Sequence, residues 1–140
     1  MGYGFATAIG AQVAASDRKV LSINGDGGFM YTMPELASAV LHNIPIVALV
    51  FCDKSFGNVE AIQKRWYDGK VIATQLHNPD FVAMAESFGA RGLKADNPDK
   101  LRTAINTAFQ HDGPVIIEIP VTIEEMGWPW SLIIKDKVRA

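Results

Sequence analysis

Apolar and polar positions along this chain follow two periods. Three short runs rich in β-branched residues read as buried strands: Val20-Leu21-Ser22-Ile23, Ile46-Val47-Ala48-Leu49-Val50-Phe51 and Val115-Ile116-Ile117-Glu118-Ile119. Ala90-Arg91-Gly92-Leu93-Lys94 alternates weakly and predicts a shorter fourth strand. Between the strands the period becomes helical. Residues 2–15 are small and apolar, with Phe5, Ile9 and Val13 on one face. Gly4, Ala8 and Ala11 would let a neighbour approach closely. Ser16-Asp17-Arg18-Lys19 is a polar turn. Thr32-Met33-Pro34-Glu35 opens the next helix, with Thr32 as N-cap, Pro34 in the first turn and Glu35 in the capping-box position. That helix runs to about residue 42 and buries Leu36, Val40 and Leu41; Asn43 ends it and Pro45 bars continuation. Residues 59–65 predict a short helix and 66–77 a loop. Asn78-Pro79-Asp80 reads as an N-cap followed by proline at the first helical position, with the helix ending near Gly89. Asn97-Pro98-Asp99 starts the last helix, whose buried face is Leu101, Ile105 and Ala108, and Gly113-Pro114 closes the connection. Strands alternating with helices predict an α/β three-layer sandwich with a mostly parallel sheet.

Composition narrows the function classes. At 140 residues the chain suits one domain with a hydrophobic core of its own. Apolar residues make up 49% and charged residues 20%, ordinary for a compact α/β protein. A net charge of −2, with Arg and Lys scattered, gives no electrostatic case for nucleic acid or an anionic membrane. No apolar run approaches the roughly 18 residues needed to span a bilayer. The single Cys52 excludes an internal disulfide and fits a reducing cytoplasm; it reads as a small buried hydrophobe at a strand end. His42, His77 and His111 show no metal-ligand spacing. Glu118 lies inside a core-like run, which predicts that it faces a crevice or a charged partner.

The candidate chemistry gathers at Asn24-Gly25-Asp26-Gly27-Gly28-Phe29. An aspartate flanked by glycines at the carboxyl end of a strand faces the crevice where open α/β sheets bind ligands. The glycines allow backbone N–H groups to approach an anion. Asp26 would repel a bare phosphate, so the pair makes sense when a divalent cation bridges the carboxylate to phosphates. A second hard ligand is then needed, and Asp53, 27 residues on, ends the next strand in Cys52-Asp53-Lys54-Ser55-Phe56-Gly57-Asn58. One helix and one strand separate them, so a right-handed βαβ unit puts both carboxylates on neighbouring strand ends. The predicted helix after Gly57 would point its N-terminus at the same place.

Gly25-Asp26-Gly27, this spacer, then a polar pair and the Phe56-Gly57 step resemble the signature of thiamine-diphosphate-dependent enzymes. Met1-Gly2-Tyr3-Gly4-Phe5-Ala6-Thr7-Ala8-Ile9-Gly10-Ala11 looks like the segment that precedes it in acetolactate synthase-like members. The resemblance runs from residue 1 to about 120. It implies the thiamine-diphosphate-binding fold, with residues 1–140 as the C-terminal diphosphate-binding domain of a longer enzyme and 121–140 as a tail. It implies thiamine diphosphate and Mg²⁺ as cofactors. Asp26, Asp53 and the Ser55 carbonyl would ligate the metal, with diphosphate oxygens and a water completing the shell. Gly25, Gly27, Gly28, Phe56 and Gly57 would line the cofactor, and Met1 would sit under its central bend. Asp53 departs from the family, which carries asparagine there, and Cys52 replaces the asparagine before it. The implied activity makes or breaks C–C bonds next to the carbonyl of 2-oxo acids. The activating glutamate is expected on a pyrimidine-binding domain of the same or a partner subunit in a homo-oligomer, so no residue here is assigned as catalytic. The aromatic tail Met126-Gly127-Trp128-Pro129-Trp130 would cover a neighbouring domain or subunit. The rival reading is a non-catalytic, doubly wound Mg²⁺- and phosphate-binding module, flavodoxin-like or receiver-like; a receiver needs an acidic pair on its first strand, and only Asp17 precedes Asp26.

Overall fold

The computed structural model describes residues 1–122; Trp128, Trp130 and the rest of the aromatic tail lie outside the described residues. The strands β1 (Leu21–Gly25), β2 (Val47–Cys52), β3 (Arg91–Lys94) and β4 (Val115–Pro120) form one sheet in the order β1-β2-β4-β3. Every pairing is parallel, with Gly25 beside Phe51 and Cys52 beside Pro120. Helices α1 (Tyr3–Ala14), α2 (Asp26–Met30), α3 (Leu36–Leu41), α4 (Gly57–Trp66), α5 (Phe81–Ser87) and α6 (Pro98–Phe109) alternate with the strands. The three-layer α/β arrangement with a parallel sheet is therefore present.

The alternation of side chains along β2 and β4 builds two cores. Ala48, Val50, Cys52 and Ile116 face Phe5 and Ala8 of α1, Phe29 of α2, Leu36 and Ala39 of α3, and Phe81 and Ala85 of α5. Phe29 stands edge-on between Phe5 and Phe81, at 4.9 and 5.7 Å. On the other face, Val47, Leu49, Val115, Ile117 and Ile119 pack on Ala104 and Ala108 of α6. Leu101 and Ile105 pack against that core only partly buried. Ile23 of β1 points to the α6 face and stays 70% exposed.

Several local expectations change. On α1 the buried line is Phe5, Ala8 and Gln12, while Val13 is exposed. Gln12 is buried because its amide closes the following turn: it donates to Arg18 O at 2.7 Å and accepts from Val20 N–H at 2.9 Å. The close approach falls at Gly4, where a Cβ would lie 2.8 Å from Asn24 Oδ1. Thr32 makes no side-chain cap and its hydroxyl is buried without a partner. The capping box is absent because Met33–Glu35 is a 3-10 turn and α3 begins only at Leu36. Leu41 is exposed, with Ala39 buried in its place, and Asn43 adopts φ +49° to end the helix. The N-cap of α5 is Asp80, whose Oδ1 accepts from Ala83 N–H at 2.9 Å; Asn78 and Pro79 lie outside the helix. Asn97 caps α6 as its sequence predicts.

Residues 66–77 are tied down rather than loose. Ser55 and Gln75 form an antiparallel bridge, with Phe56 N–H on Thr74 O and Leu76 N–H on Lys54 O, each 2.8 Å. Gln63 of α4 brackets Ile72, accepting from its N–H at 2.9 Å and donating to its carbonyl at 3.2 Å. Glu60 accepts from Thr74 Oγ1 and Gln75 Nε2 and pairs with Lys64, which holds its carboxyl below the usual range. Periodicity could not reveal this, because the partners are long-range polar groups.

Glu118 meets the charged partner its position predicts. Oε1 pairs with Lys94 Nζ at 2.6 Å and Oε2 accepts from Phe81 N–H, the first residue of α5, at 3.2 Å. The hydrogen bond and charge of Glu118 raise the Lys94 amine above its usual value. Lys94 is 58% exposed and keeps water if the pair is lost, so the cost of removing Glu118 falls on the Phe81 amide. Glu118→Ala is expected to destabilise the fold by about 2 kcal/mol, and Glu118→Gln, which keeps an acceptor, by about 1 kcal/mol or less. Urea unfolding of the two variants measures the difference.

Candidate functional site

The site forms where the carboxyl ends of β1 and β2 lie side by side. Asp26 follows β1 directly and opens α2; it is 1% exposed. Its Oδ1 accepts from Gly27 N–H at 2.8 Å. Its Oδ2 accepts from Lys54 N–H at 2.8 Å and from Asn78 Nδ2 at 2.6 Å. A buried carboxylate is tolerable only with such partners. Lys54 reaches it because its backbone takes φ +59°, a left-handed conformation that costs a non-glycine residue on the order of 1 kcal/mol. The Asp26–Lys54 bond thus joins the two loops, as the neighbouring-strand geometry predicts.

Asp53 is held differently. Oδ1 accepts from Ser55 N–H and Oδ2 from the Ser55 hydroxyl, both at 3.1 Å. Gly57, the first residue of α4, packs on the carboxylate so tightly that a Cβ there would lie 2.7 Å from Oδ2. The positive end of α4 therefore backs Asp53. The ladder bonds around Ser55 are made by its neighbours, Phe56 N–H donating to Thr74 O and Lys54 O accepting from Leu76 N–H. The Ser55 carbonyl accordingly points to the other side, where its own N–H meets Asp53.

The glycines have distinct surroundings. A Cβ at Gly27 would lie 2.5 Å from Phe56 Cε1, so the Phe56 ring rests on the Gly27 backbone. That ring also lies 6.4 Å from Tyr31. At Gly25 and Gly28 a Cβ would meet nothing within 4 Å. Met1 is 79% exposed and sits one residue before Gly2, which packs on Tyr31 beyond the end of α2. The structure thus brings Asp26, Asp53, Ser55, Gly27, Phe56 and Gly57 together, and leaves Met1 at the rim.

The donor set fits a hard cation. Among the described residues no three His, Cys, Asp or Glu side chains gather into a cluster able to hold a metal by themselves. Two carboxylates and a carbonyl are instead the arrangement that suits Mg²⁺ shared with phosphate oxygens. One buried acceptor, Asn78 Oδ1, has no partner. Asn78 is a site residue that the sequence pattern assigns to the α5 cap; it lies 52 residues from Asp26, and no spacing rule links them.

Cys52 behaves as the buried small residue its position predicts. Its Sγ donates to Val50 O at 3.3 Å. Burial, reinforced by the negative charges of Glu118 and Asp26, pushes the thiol from 9.0 up to about 12.

The whole length from residue 1 to 119 matches the family model described as thiamine pyrophosphate enzyme, C-terminal TPP binding domain. The chain is 39% identical over 121 residues to the acetolactate synthase of Bacillus subtilis, covering 86% of this chain and 21% of that protein. It is 35% identical over 122 residues to a probable acetolactate synthase large subunit of Methanococcus aeolicus, covering 86% of this chain and 20% of the relative. The solved thiamine diphosphate-dependent 4-hydroxybenzoylformate decarboxylase of Rhodococcus jostii RHA1 superposes with a TM-score of 0.84 at 31% identity, over 90% of this chain and 24% of that one. The chain thus spans about a fifth of the length of the curated relatives it matches.

The Cys52 environment has a consequence for stability against pH. The unfolded chain releases this proton near 9.0 and the folded chain at about 12, so the folded state binds the extra proton between them. The stabilisation is complete below the lower value and drains away as pH rises toward the upper one. Cys52→Ala is expected to flatten that alkaline loss, as read by urea unfolding at about pH 8 and about pH 11.

Proposed function

The chain belongs to the thiamine pyrophosphate enzymes, as their C-terminal TPP-binding domain, and on that premise we propose that it serves as the diphosphate- and Mg²⁺-holding part of an acetolactate synthase-like enzyme acting on 2-oxo acids. The family settles the choice against a flavodoxin- or receiver-like module. The observation that carries the proposal is Asp26: a carboxylate 1% exposed, held by three donors, beside the Asp53 loop at adjacent parallel strand ends.

Asp26, Asp53 and the Ser55 carbonyl hold the cation. Oδ2 of Asp26 is taken up by two donors, and Oδ1, with one, keeps a lone pair for it. The start of α4 offsets the extra negative charge that Asp53 brings. Gly25 and Gly28, open at their Cα atoms, let the backbone approach the diphosphate. Phe56 covers Gly27 and excludes water from that side of the loop. When bound, thiamine diphosphate supplies a carbon nucleophile and an electron sink for making or breaking a C–C bond next to a carbonyl. Cys52 stays a neutral thiol and takes no part.

A pyrimidine-binding domain of the same or a partner subunit, in a homo-oligomer, supplies the activating glutamate and the substrate contacts. None of Glu35, Glu60, Glu86 or Glu118 on this chain takes that role: Glu60 and Glu118 are engaged in structural bonds. The single buried Cys52 fits the reducing cytoplasm in which we place the enzyme; among the described residues no helix is long and apolar enough to cross a membrane.

Calorimetric titration of thiamine diphosphate at fixed Mg²⁺ tests the ligand set in the polypeptide that carries this chain. Asp26→Ala and Asp53→Ala are each expected to abolish Mg²⁺-dependent binding, whereas Asp53→Asn retains it, because the amide keeps an oxygen at the same reach. Normal binding by Asp53→Ala would redraw the metal site. The 140-residue chain by itself is expected to show no 2-oxo acid decarboxylation above that of free cofactor; a measurable excess refutes the assignment of the glutamate to another domain.

A further inference from the structure

We propose that Asn78 is a positioning residue of the cation centre, aiming Asp26 through its Nδ2 and offering its Oδ1 to a cation-bound water. This rests on the reading of Asp26 as a metal ligand.

The amide is placed by the chain on both sides of it. Two residues earlier, Leu76 N–H is fixed on Lys54 O at 2.8 Å. Three residues later, Phe81 N–H is fixed on the Glu118 carboxylate at 3.2 Å. Pro79 restricts the Asn78 backbone to extended conformations. The helix does not need the side chain, since Asp80 caps α5. The side chain is thus committed elsewhere, and the contact it makes is the short Nδ2–Oδ2 bond of 2.6 Å to Asp26.

The charge of Asp26 fixes which way the amide faces. Turned over, Asn78 would set an oxygen against a carboxylate oxygen. With Nδ2 on Asp26, both in-plane positions of Oδ2 are occupied, by Asn78 and by Lys54 N–H. The cation is therefore directed to Oδ1. The same orientation leaves Asn78 Oδ1 buried and unpartnered. A buried acceptor without a donor is costly and calls for a water or ion. Mg²⁺ keeps part of its water shell, and such a water is the donor of the required chemistry beside Asp26. Hydrogen-bonding groups behind a first ligand tune metal affinity by about 10- to 100-fold.

The test is titration of Mg²⁺, and of Mn²⁺ followed by the electron paramagnetic resonance of the free ion, into the full polypeptide saturated with thiamine diphosphate. Asn78→Leu keeps the volume and removes both polar atoms; Asn78→Ala replaces it if that variant does not fold. Either is expected to weaken cation affinity by about 10- to 100-fold, with cofactor binding restored at saturating Mg²⁺. Asp80→Ala, which removes the α5 cap in the same segment, is expected to lower the thermal midpoint and leave cation affinity unchanged. Parent-like affinity in the Asn78 variants, while Asp26→Ala has lost binding, overturns the inference alone. A loss that excess Mg²⁺ does not restore, together with a thermal loss like that of Asp80→Ala, assigns Asn78 to structure and also overturns it. Normal binding by Asp26→Ala overturns the metal reading underneath.

Discussion

A carboxylate taken out of water must find donors, and that requirement at Asp26 organises the carboxyl edge of the sheet. Burying an unpaired charge costs several kcal/mol or more. Three donors meet it, and each comes from a different part of the chain: Gly27 at the start of α2, Lys54 after β2, and Asn78 before α5. Gly27 is available because a five-residue helix begins on Asp26 itself. Lys54 is available because it accepts a left-handed backbone. Asn78 is available because the segment carrying it is pinned at both ends.

The ends of three neighbouring strands carry groups able to hold negative charge, and each is handled by different physics. Asp26 on β1 is compensated by hydrogen bonds. Glu118 on β4 is compensated by the Lys94 ammonium and the first amide of α5. Cys52 on β2, between them, keeps its proton, because burial and those two carboxylates disfavour a thiolate. Asp53 lies one step outward, where the N-terminus of α4 and Ser55 hold it. Each negative group at this edge is thus balanced by its own partners, and Oδ1 of Asp26, with a single donor, is the least occupied oxygen of that carboxylate.

The 66–77 segment shows how the site stays in register without a long element of its own. The Ser55–Gln75 bridge, the Gln63 bracket and the Glu60 cluster fix the return path from α4 to Asn78. The positions of Ser55 and Asn78 are therefore coupled through one short ladder. Phe56, lodged between Gly27 and Tyr31, locks the β1 and β2 loops from the other side.

The sequence by itself determined the layers and the place of the candidate site. Apolar runs of four to six residues alternating with helical periods dictate a parallel α/β sheet, and local spacing sets Asp26 and Asp53 on adjacent strand ends. Both follow from near-neighbour periodicity and short crossovers, which a one-dimensional pattern records. Tertiary structure decided what depends on long-range polar contacts. Gln12 is buried in place of Val13 because a turn needed closing. Thr32 loses its cap because the chain takes a 3-10 turn there. Asn78 leaves the helix it was expected to cap and serves a carboxylate 52 residues away. Hydrogen-bond partners far apart in the chain leave no period behind them, so the fold was legible where burial is periodic and silent where a buried charge chose its donors.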